Sequence, residues 1–165
     1  MKKIFRDENE TCEIDFSSAI YATDELHDVF KVVKGSFLCD VDFVAETENE
    51  LIFIEYKNSA FKGADCPKAF KPFEHITDLA RKYYDSLNYI RAAGIGKNKN
   101  KIYIYILEVK RTDPVFRKSI RNRIKESLPF KLQKNLRFKM IDDVQVFSIK
   151  NWNKKYKKFP AKKLK

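Results

Sequence analysis

The chain has 165 residues, of which 44% are hydrophobic and 14% aromatic, which favours one folded domain and excludes a disordered protein. Lysine and arginine number 34 against 23 acidic residues, so the formal net charge is +11. No apolar run approaches the roughly 20 residues of a membrane helix. Residues 1–8 lack the apolar stretch of a signal peptide, so we expect a soluble, cytoplasmic protein.

The positive charge is concentrated near the C-terminus. Residues 150–165 hold eight lysines and no acid, which leaves residues 1–149 with a net charge of +3. We therefore expect one domain over residues 1–149 and a lysine-rich tail over residues 150–165, which either binds a polyanion or is simply solvated. The cysteines, Cys12, Cys39 and Cys66, are odd in number and widely spaced, which argues against a disulfide framework or a structural zinc site.

The first predicted elements surround a hairpin. Residues 25–33 suit either a helix or a strand, because their apolar residues fit both periodicities. Residues 37–45 and 51–57 predict two strands, since both are rich in aromatic and β-branched side chains. The polar residues 46–50 between them are typical of a hairpin loop.

A long amphipathic helix is predicted next. Its apolar residues recur every three or four positions from Phe73 to Ile90, and Gly94 ends it. Residues 94–97 have neither the length nor the Ser or Thr of a P-loop, so we interpret them as the helix end and a basic loop.

The second half of the chain predicts two strands and one helix. Residues 101–109 are aromatic and β-branched, which predicts a strand. Residues 113–127 predict a helix with Asp113 as its N-cap and Pro114 in its first turn. A last strand is predicted over residues 144–149. The resulting order predicts an α+β fold, a central mixed β-sheet flanked by helices.

The hairpin gathers four polar side chains on one face. Side chains two residues apart in a strand point the same way, so Glu55 and Lys57 share a face. An even-numbered loop centred after Glu48 would place Asp42 opposite Glu55, and Asp40 opposite Lys57. An odd-numbered loop would leave only diagonal proximity. The other face is apolar and is expected to pack against helices; its residues are Cys39, Val41, Phe43, Ala45, Ile52, Ile54 and Tyr56.

This polar face has the groups that phosphodiester hydrolysis needs. Two carboxylates opposed across a sheet repel each other unless a cation lies between them. Carboxylate oxygens suit Mg²⁺ or Mn²⁺, which also accept phosphate oxygens. A nearby lysine can orient water and stabilise the charge that builds up on phosphate. Asp42, Glu55 and Lys57 therefore predict metal-assisted hydrolysis.

These residues resemble the PD-(D/E)xK superfamily of nucleases, also called restriction-endonuclease-like. Asp42-Phe-Val-Ala-Glu is followed, 13 positions on from the aspartate, by Glu55-Tyr-Lys57. The family has the aspartate on one strand and E-x-K on the next, in a mixed sheet flanked by helices, and residues 25–110 have that order. Val41 stands where the family often has proline. Residues 147–153 are similar to uncharacterised bacterial members.

The resemblance implies a role for each polar residue of the hairpin. Asp42 and Glu55 would bind Mg²⁺ or Mn²⁺, the Tyr56 carbonyl would be a further ligand, and Lys57 would be the catalytic lysine. The family often adds an acidic residue from the N-terminal segment. The candidates are Asp24, Glu25 and Asp28, whereas Asp40 is interpreted as an ion-pair partner of Lys57 or a group that supports the ligands.

A second E-x-K pattern provides an internal comparison. Glu108-Val-Lys110 has the same local spacing, but the segment before its strand is helical, so no acidic partner strand is expected beside it. We interpret Glu108 and Lys110 as charges at a strand end.

The basic residues indicate the partner. Arg117 and Arg121 on the second helix, with Lys154 and Lys155 near the C-terminus, either contact a phosphate backbone or form a solvated surface. We expect a Mg²⁺-dependent nuclease that acts on nucleic acid, with DNA favoured over RNA. We expect no membrane partner, and a homodimer is compatible with the sequence. Two alternatives stay open: a catalytically inactive nucleic-acid-binding module with the same fold, and an interaction protein whose lysine tail binds an acidic partner.

Overall fold

The computed structural model describes residues 3–34, 37–59, 75–109 and 113–164. A short 3-10 helix, Leu132–Asn135, precedes the seventh strand. In chain order the other elements are β1 (Ile4–Arg6), β2 (Cys12–Asp15), β3 (Tyr21–Thr23), α1 (Leu26–Lys31), β4 (Phe43–Glu46), β5 (Glu50–Asn58), α2 (Ile76–Ala92), β6 (Asn100–Glu108), α3 (Pro114–Ser127), β7 (Asp143–Phe147), α4 (Ile149–Lys155) and β8 (Ala161–Lys163).

Two β-sheets organise the molecule. The central sheet has the strand order β3-β4-β5-β6-β7, antiparallel up to β5 and parallel from β5 to β7. A smaller antiparallel sheet has the order β1-β2-β8. The mixed sheet and its flanking helices confirm the predicted α+β fold class.

Each face of the central sheet is covered. On one face Val44, Leu51 and Phe53 pack with the buried stripes of α2 and α3. On the other, Ile52 and Ile54 pack with the smaller sheet and α4. The apolar hairpin face therefore lies mainly against a second sheet rather than against α2, and the polar hairpin face is the one that α2 covers. Both faces exclude water, which stabilises by roughly 25 cal/mol per Å² of apolar surface buried.

The hairpin register agrees with the prediction, but its first strand is shorter. Phe43 pairs with Ile54 and Glu46 with Leu51, so the loop is even-numbered as expected. The predicted strand over residues 37–45 is wrong at its start, because residues 37–42 have no sheet partner among the described residues. Val41 is also misassigned, since it packs in the core on the α2 side of the sheet.

The helices match their sequence patterns. The ambiguous segment 25–33 forms α1, with Leu26 and Phe30 buried one turn apart. Helix α3 begins as predicted, since the Phe116 N–H donates to the Asp113 carboxylate at 2.7 Å. Strand β7 ends before Ser148 because that residue caps α4, which shortens the strand predicted over 144–149.

The C-terminal segment is not a solvated tail. Helix α4 buries Trp152 completely in the core beneath the central sheet, and strand β8 pairs with β2. The Trp152 indole N–H donates to the Phe159 carbonyl at 2.6 Å, which closes the segment on itself. Its lysines are the exposed side of a packed element, so the predicted separation of residues 150–165 from the domain is wrong.

Some predictions concern residues outside the described ranges. The helix start near Phe73, the cysteine Cys66 and the charge Lys110 all belong to this group. Within the part of the chain that the structure describes, no helix is long and apolar enough to cross a membrane.

Candidate functional site

Asp42 and Glu55 lie together at the open end of the β4–β5 hairpin. Asp42 immediately precedes the first residue of the ladder, and continuing the register places it opposite Glu55. One Asp42 oxygen, Oδ2, accepts a hydrogen bond from the Tyr56 N–H at 2.7 Å. The Asp42 side chain thus replaces a backbone acceptor at the point where the ladder ends, and this bond holds its carboxylate beside β5.

Helix α2 holds the segment that carries Asp42. The Cys39 N–H donates to the Asp85 carboxylate at 2.9 Å, and the Val41 N–H donates to the Ser86 hydroxyl at 3.0 Å. Ser86 is fully buried. These bonds satisfy the backbone of a segment that has no strand partner, and they fix the position of Asp42 relative to the helix.

The same helix supplies the cation of the site. Lys82 Nζ lies 2.7 Å from Glu55 Oε1, and its side chain is 30% exposed against 10% for that of Glu55. Lys82 precedes Ser86 by one turn, so both face the sheet. The sequence analysis missed Lys82, although its place in the otherwise apolar stripe between Leu79 and Ser86 was a usable signal.

One oxygen of this cluster has no partner. Glu55 Oε2 is buried and makes no hydrogen bond within the described residues. A buried carboxylate oxygen without a partner is costly, because burial removes the water that would otherwise solvate it. Glu55 Oε2 can therefore accept one more hydrogen bond or contact one more cation.

The electrostatics of the pair follow from burial and proximity. Burial, and then the Asp42 carboxylate, raises the pKa of Glu55 against the opposing effect of Lys82. Burial also raises the pKa of Asp42, against Lys82 and the Tyr56 N–H. Burial would lower the pKa of Lys82, but Glu55 and Asp42 outweigh it and the pKa is raised. Among the described residues, two carboxylates thus share one ammonium, so this part of the site is short of positive charge.

The donor set fits a hard divalent cation. Among the described residues, no three His, Cys, Asp or Glu side chains are placed to hold one metal ion. The candidate side-chain ligands for such a cation are therefore Asp42 and Glu55, with the Tyr56 carbonyl as the further oxygen suggested by the sequence. Mg²⁺ is commonly bound by one or two carboxylates, several waters and substrate phosphate, so two carboxylates are sufficient for it but not for a fully protein-bound ion.

The two other polar residues of the hairpin are arranged differently from the prediction. Lys57 is exposed on the same strand as Glu55 and has no ion pair within the described ranges. Asp40 does not pair with it; its carboxylate lies 3.2 Å from His27 Nδ1 on α1. The predicted Asp40–Lys57 ion pair is therefore wrong, because Asp40 lies outside the β4 ladder.

A cavity of about 630 Å³ opens beside Asp42, and Glu55 is not among its lining residues. Asp42 and Lys82 line it together with Asp24, Asp28 and Asp40. Burial, and to a smaller extent Glu25 and Asp28, raises the pKa of Asp24. The structure thus brings Asp24 to the cavity, whereas Glu25 is the N-cap residue before α1 and donates its N–H to the Thr23 hydroxyl at 3.1 Å.

The four basic side chains predicted to contact nucleic acid differ in whether they already bond to other protein groups. Arg121 donates to the Val144 carbonyl at 2.6 Å and to Asp143 at 3.0 Å, so its guanidinium is engaged in joining α3 to β7. Lys155 donates to Gln145 at 2.9 Å. Arg117 is half-buried and Lys154 is exposed, and neither lines the cavity beside Asp42.

The second E-x-K pattern has a structural role. Glu108 ends β6, opposite Asn58 of β5, and its carboxylate accepts from the Ile149 N–H at 2.7 Å at the start of α4. No carboxylate stands opposite it in either neighbouring ladder. Its interpretation as a strand-end charge agrees with this contact.

Comparisons of the chain with protein-family models, with curated proteins and with solved structures each gave no match.

Proposed function

We propose that the chain is a divalent-metal-dependent hydrolase of phosphodiester bonds in nucleic acid, of the PD-(D/E)xK type, with Mg²⁺ or Mn²⁺ as its cofactor. The observation that carries the proposal is the Asp42–Glu55 pair, in which, among the described residues, one buried carboxylate oxygen has no partner and one ammonium serves two carboxylates. A cation beside this pair would relieve both deficits, and the adjoining cavity gives space for a phosphodiester.

Asp42 and Glu55 would hold the metal, with the Tyr56 carbonyl and water completing the set. When bound, Mg²⁺ or Mn²⁺ supplies Lewis-acid stabilisation of a phosphodiester and a more acidic water. Asp42 keeps its orientation through the Tyr56 N–H, so one of its oxygens remains available. Asp85 and Ser86 fix the backbone ahead of it, which limits how far the carboxylate can move.

The two lysines would divide the work of a single catalytic lysine. Lys82 contacts Glu55 directly, so it orients that carboxylate and opposes the rise in its pKa that burial causes. Lys57 is exposed on the same face of β5, where it can reach a substrate phosphate and stabilise the charge that grows on it. Lys82 is therefore a positioning residue, and Lys57 keeps the role that the sequence predicts.

Calorimetric titration with Mn²⁺, followed by a cleavage assay, tests the proposal. Labelled single-stranded DNA, duplex DNA and RNA are each incubated with Mg²⁺ or Mn²⁺ and with Asp42→Asn, Glu55→Gln or wild-type protein. The matched control is Glu48→Gln, which removes a carboxylate from the exposed loop of the same hairpin. We expect wild type and the control to bind Mn²⁺ and cleave, and both site variants to lose cleavage.

Two outcomes contradict the proposal. Cleavage that survives in clean preparations of both site variants would show that the carboxylates are not catalytic. Nucleic-acid binding by wild type without any metal binding or cleavage would instead support the inactive binding module. Lys57→Ala separates the lysines, because it should abolish cleavage without changing the free energy of unfolding, as expected for an exposed side chain.

A further inference from the structure

A second cavity, of about 610 Å³, lies where helix α2 turns into strand β6. Its charged lining is strongly unbalanced, with Asp142 as the one acidic residue among those that line it. The cationic residues in its lining are Arg91, Lys97, Lys99, Lys101 and Lys139. This excess of positive charge lies at the C-terminal end of α2, whereas Lys82 lies nearer its N-terminal end.

Most of the positive charge in this cavity is not neutralised. Asp142 accepts from the Lys101 backbone N–H at 2.8 Å and lies 3.5 Å from Lys139 Nζ. Lys99 donates to the Glu48 carbonyl at 2.6 Å and lies 4.0 Å from the Glu46 carboxylate. Within the described ranges, Arg91 and Lys97 are both exposed and have no ion pair. The cavity therefore has at least two cations available for an anion.

The loop that forms the cavity wall has an unusual backbone. Gly94, Gly96 and Asn98 have φ angles of +75°, +65° and +66°, each separated by a residue with negative φ. Alternation of this kind is typical of backbone concavities whose N–H groups bind anions. The N–H groups of Gly96, Lys97 and Asn98 donate to no described residue. Gly96 is held in place by β5, because a Cβ there would lie 2.5 Å from Leu51 Cδ2.

An exposed aromatic ring completes the lining. Phe138 is 64% exposed, and the Arg137 guanidinium lies 5.2 Å from its ring centroid. A phosphate alone would need no aromatic neighbour. An exposed ring beside cations is instead the combination that binds single-stranded nucleic acid, with bases stacked on the ring and phosphates on the cations.

We propose that this cavity binds a single-stranded nucleic-acid segment. Its phosphates lie at Arg91, Lys97 and the loop N–H groups, and one base stacks on Phe138. Leu51, which touches the loop, precedes Glu55 by four residues of the same strand, or about 13 Å. The link to cleavage rests on the proposed function, whereas the binding does not.

Fluorescence anisotropy with a labelled twelve-residue oligothymidylate, at low salt and with EDTA, tests the binding. The double variant Arg91→Gln/Lys97→Gln is compared with Lys157→Gln/Lys158→Gln, which removes the same charge from exposed lysines outside the cavity. The cavity variant should bind more weakly, and its salt dependence should be shallower by about 1.4 in log–log slope, the value for two lost phosphate contacts. The control variant should keep the wild-type slope.

A second pair of measurements isolates the aromatic ring. Phe138→Ala should weaken binding of the oligothymidylate about tenfold, but it should leave binding of an abasic strand of equal length unchanged. Absence of wild-type binding, an equal loss in the lysine control, or an equal effect of Phe138→Ala on both strands would each overturn the inference. Thermal unfolding of every variant confirms that it is folded. EDTA prevents cleavage, so the anisotropy assay measures binding alone. Binding at the cavity in EDTA, with no cleavage once Mg²⁺ is supplied, would refute the proposed function and leave this inference standing.

Discussion

Replacing Asp42 with asparagine should make the metal-free protein more stable. Asp42 and Glu55 are opposed across the hairpin, and among the described residues Lys82 contacts only Glu55 at hydrogen-bond distance. Asparagine keeps a carbonyl oxygen that can accept from the Tyr56 N–H, so the variant removes charge while preserving the local bond. The free energy of unfolding should therefore rise because the repulsion between the carboxylates is lost.

The magnitude follows from the separation of the two side chains. Directly opposed residues in an antiparallel pair have Cβ atoms about 5 Å apart. Two unit charges at about 5 Å interact by roughly 3 kcal/mol at an effective dielectric constant of 20. Lys82 offsets part of this, so we expect a gain of about 1–3 kcal/mol. In a domain of this size each kcal/mol corresponds to about 2–4 °C in Tm.

The effect should depend on pH in a defined direction. A raised pKa in the folded state means that Asp42 contributes stability below its unfolded pKa and loses that contribution as the pH rises through its folded pKa. The advantage of the variant should therefore be absent at about pH 4, near the ordinary pKa of aspartate, and fully present only at about pH 9, above the pKa of Glu55, which burial raises to about 8. Mn²⁺ should reverse the order, since binding at 100 times Kd stabilises the wild type by about 2.7 kcal/mol.

Urea unfolding at both pH values, with EDTA or Mn²⁺, measures these differences, and Glu48→Gln is the control that should stay within about 0.5 kcal/mol of wild type. If Asp42→Asn were less stable than wild type in EDTA at about pH 9, the carboxylates would not repel each other in the folded protein. The account of the site as short of positive charge would then be wrong.

Three further predictions concern residues outside the predicted catalytic set. Lys82→Met should cost about 2–4 kcal/mol at about pH 8 and much less near pH 5, where Glu55 is protonated; equal losses at the two pH values in urea unfolding would contradict this. Trp152→Ala should cost about 3–5 kcal/mol, and a loss below about 1 kcal/mol would mean that α4 is dispensable. Gly96→Ala should destabilise more than Gly94→Ala, because both have positive φ but only at Gly96 would the added Cβ meet Leu51; similar Tm values for the two variants would refute the clash.

The hairpin was predictable because its information is local. Alternating side chains and an even loop determine which residues face each other, so the opposition of Asp42 and Glu55 follows from residues within one short segment. Lys82 was not predictable in this way. It reaches Glu55 from a helix 27 positions later, and no pattern within the hairpin indicates which turn of α2 will lie above it.

Side chains that bond to backbone explain the remaining errors near the site. Residues 37–42 have strand-like composition, but Asp85 and Ser86 accept their N–H groups from more than 40 positions away. A pattern of strand propensity cannot reveal that a helix side chain replaces the neighbouring strand. At the C-terminus the signal was present, since Trp152, Tyr156 and Phe159 recur at helical intervals, but the surrounding lysines obscured it.

The pairing of β2 with β8 sets the order in which the molecule can be completed during synthesis. Residues 12–14 must wait for residues 161–163, so the smaller sheet cannot close until those last residues have left the ribosome. Until then Ile52 and Ile54, on the back of the strand that carries Glu55, lack the cover that the smaller sheet and α4 provide. Pairing over such a sequence separation is slow to form, because a long loop must close first. A nascent chain that already contains both carboxylates thus still exposes apolar strand surface, and chaperones that bind such surface would meet the hairpin before the site is assembled.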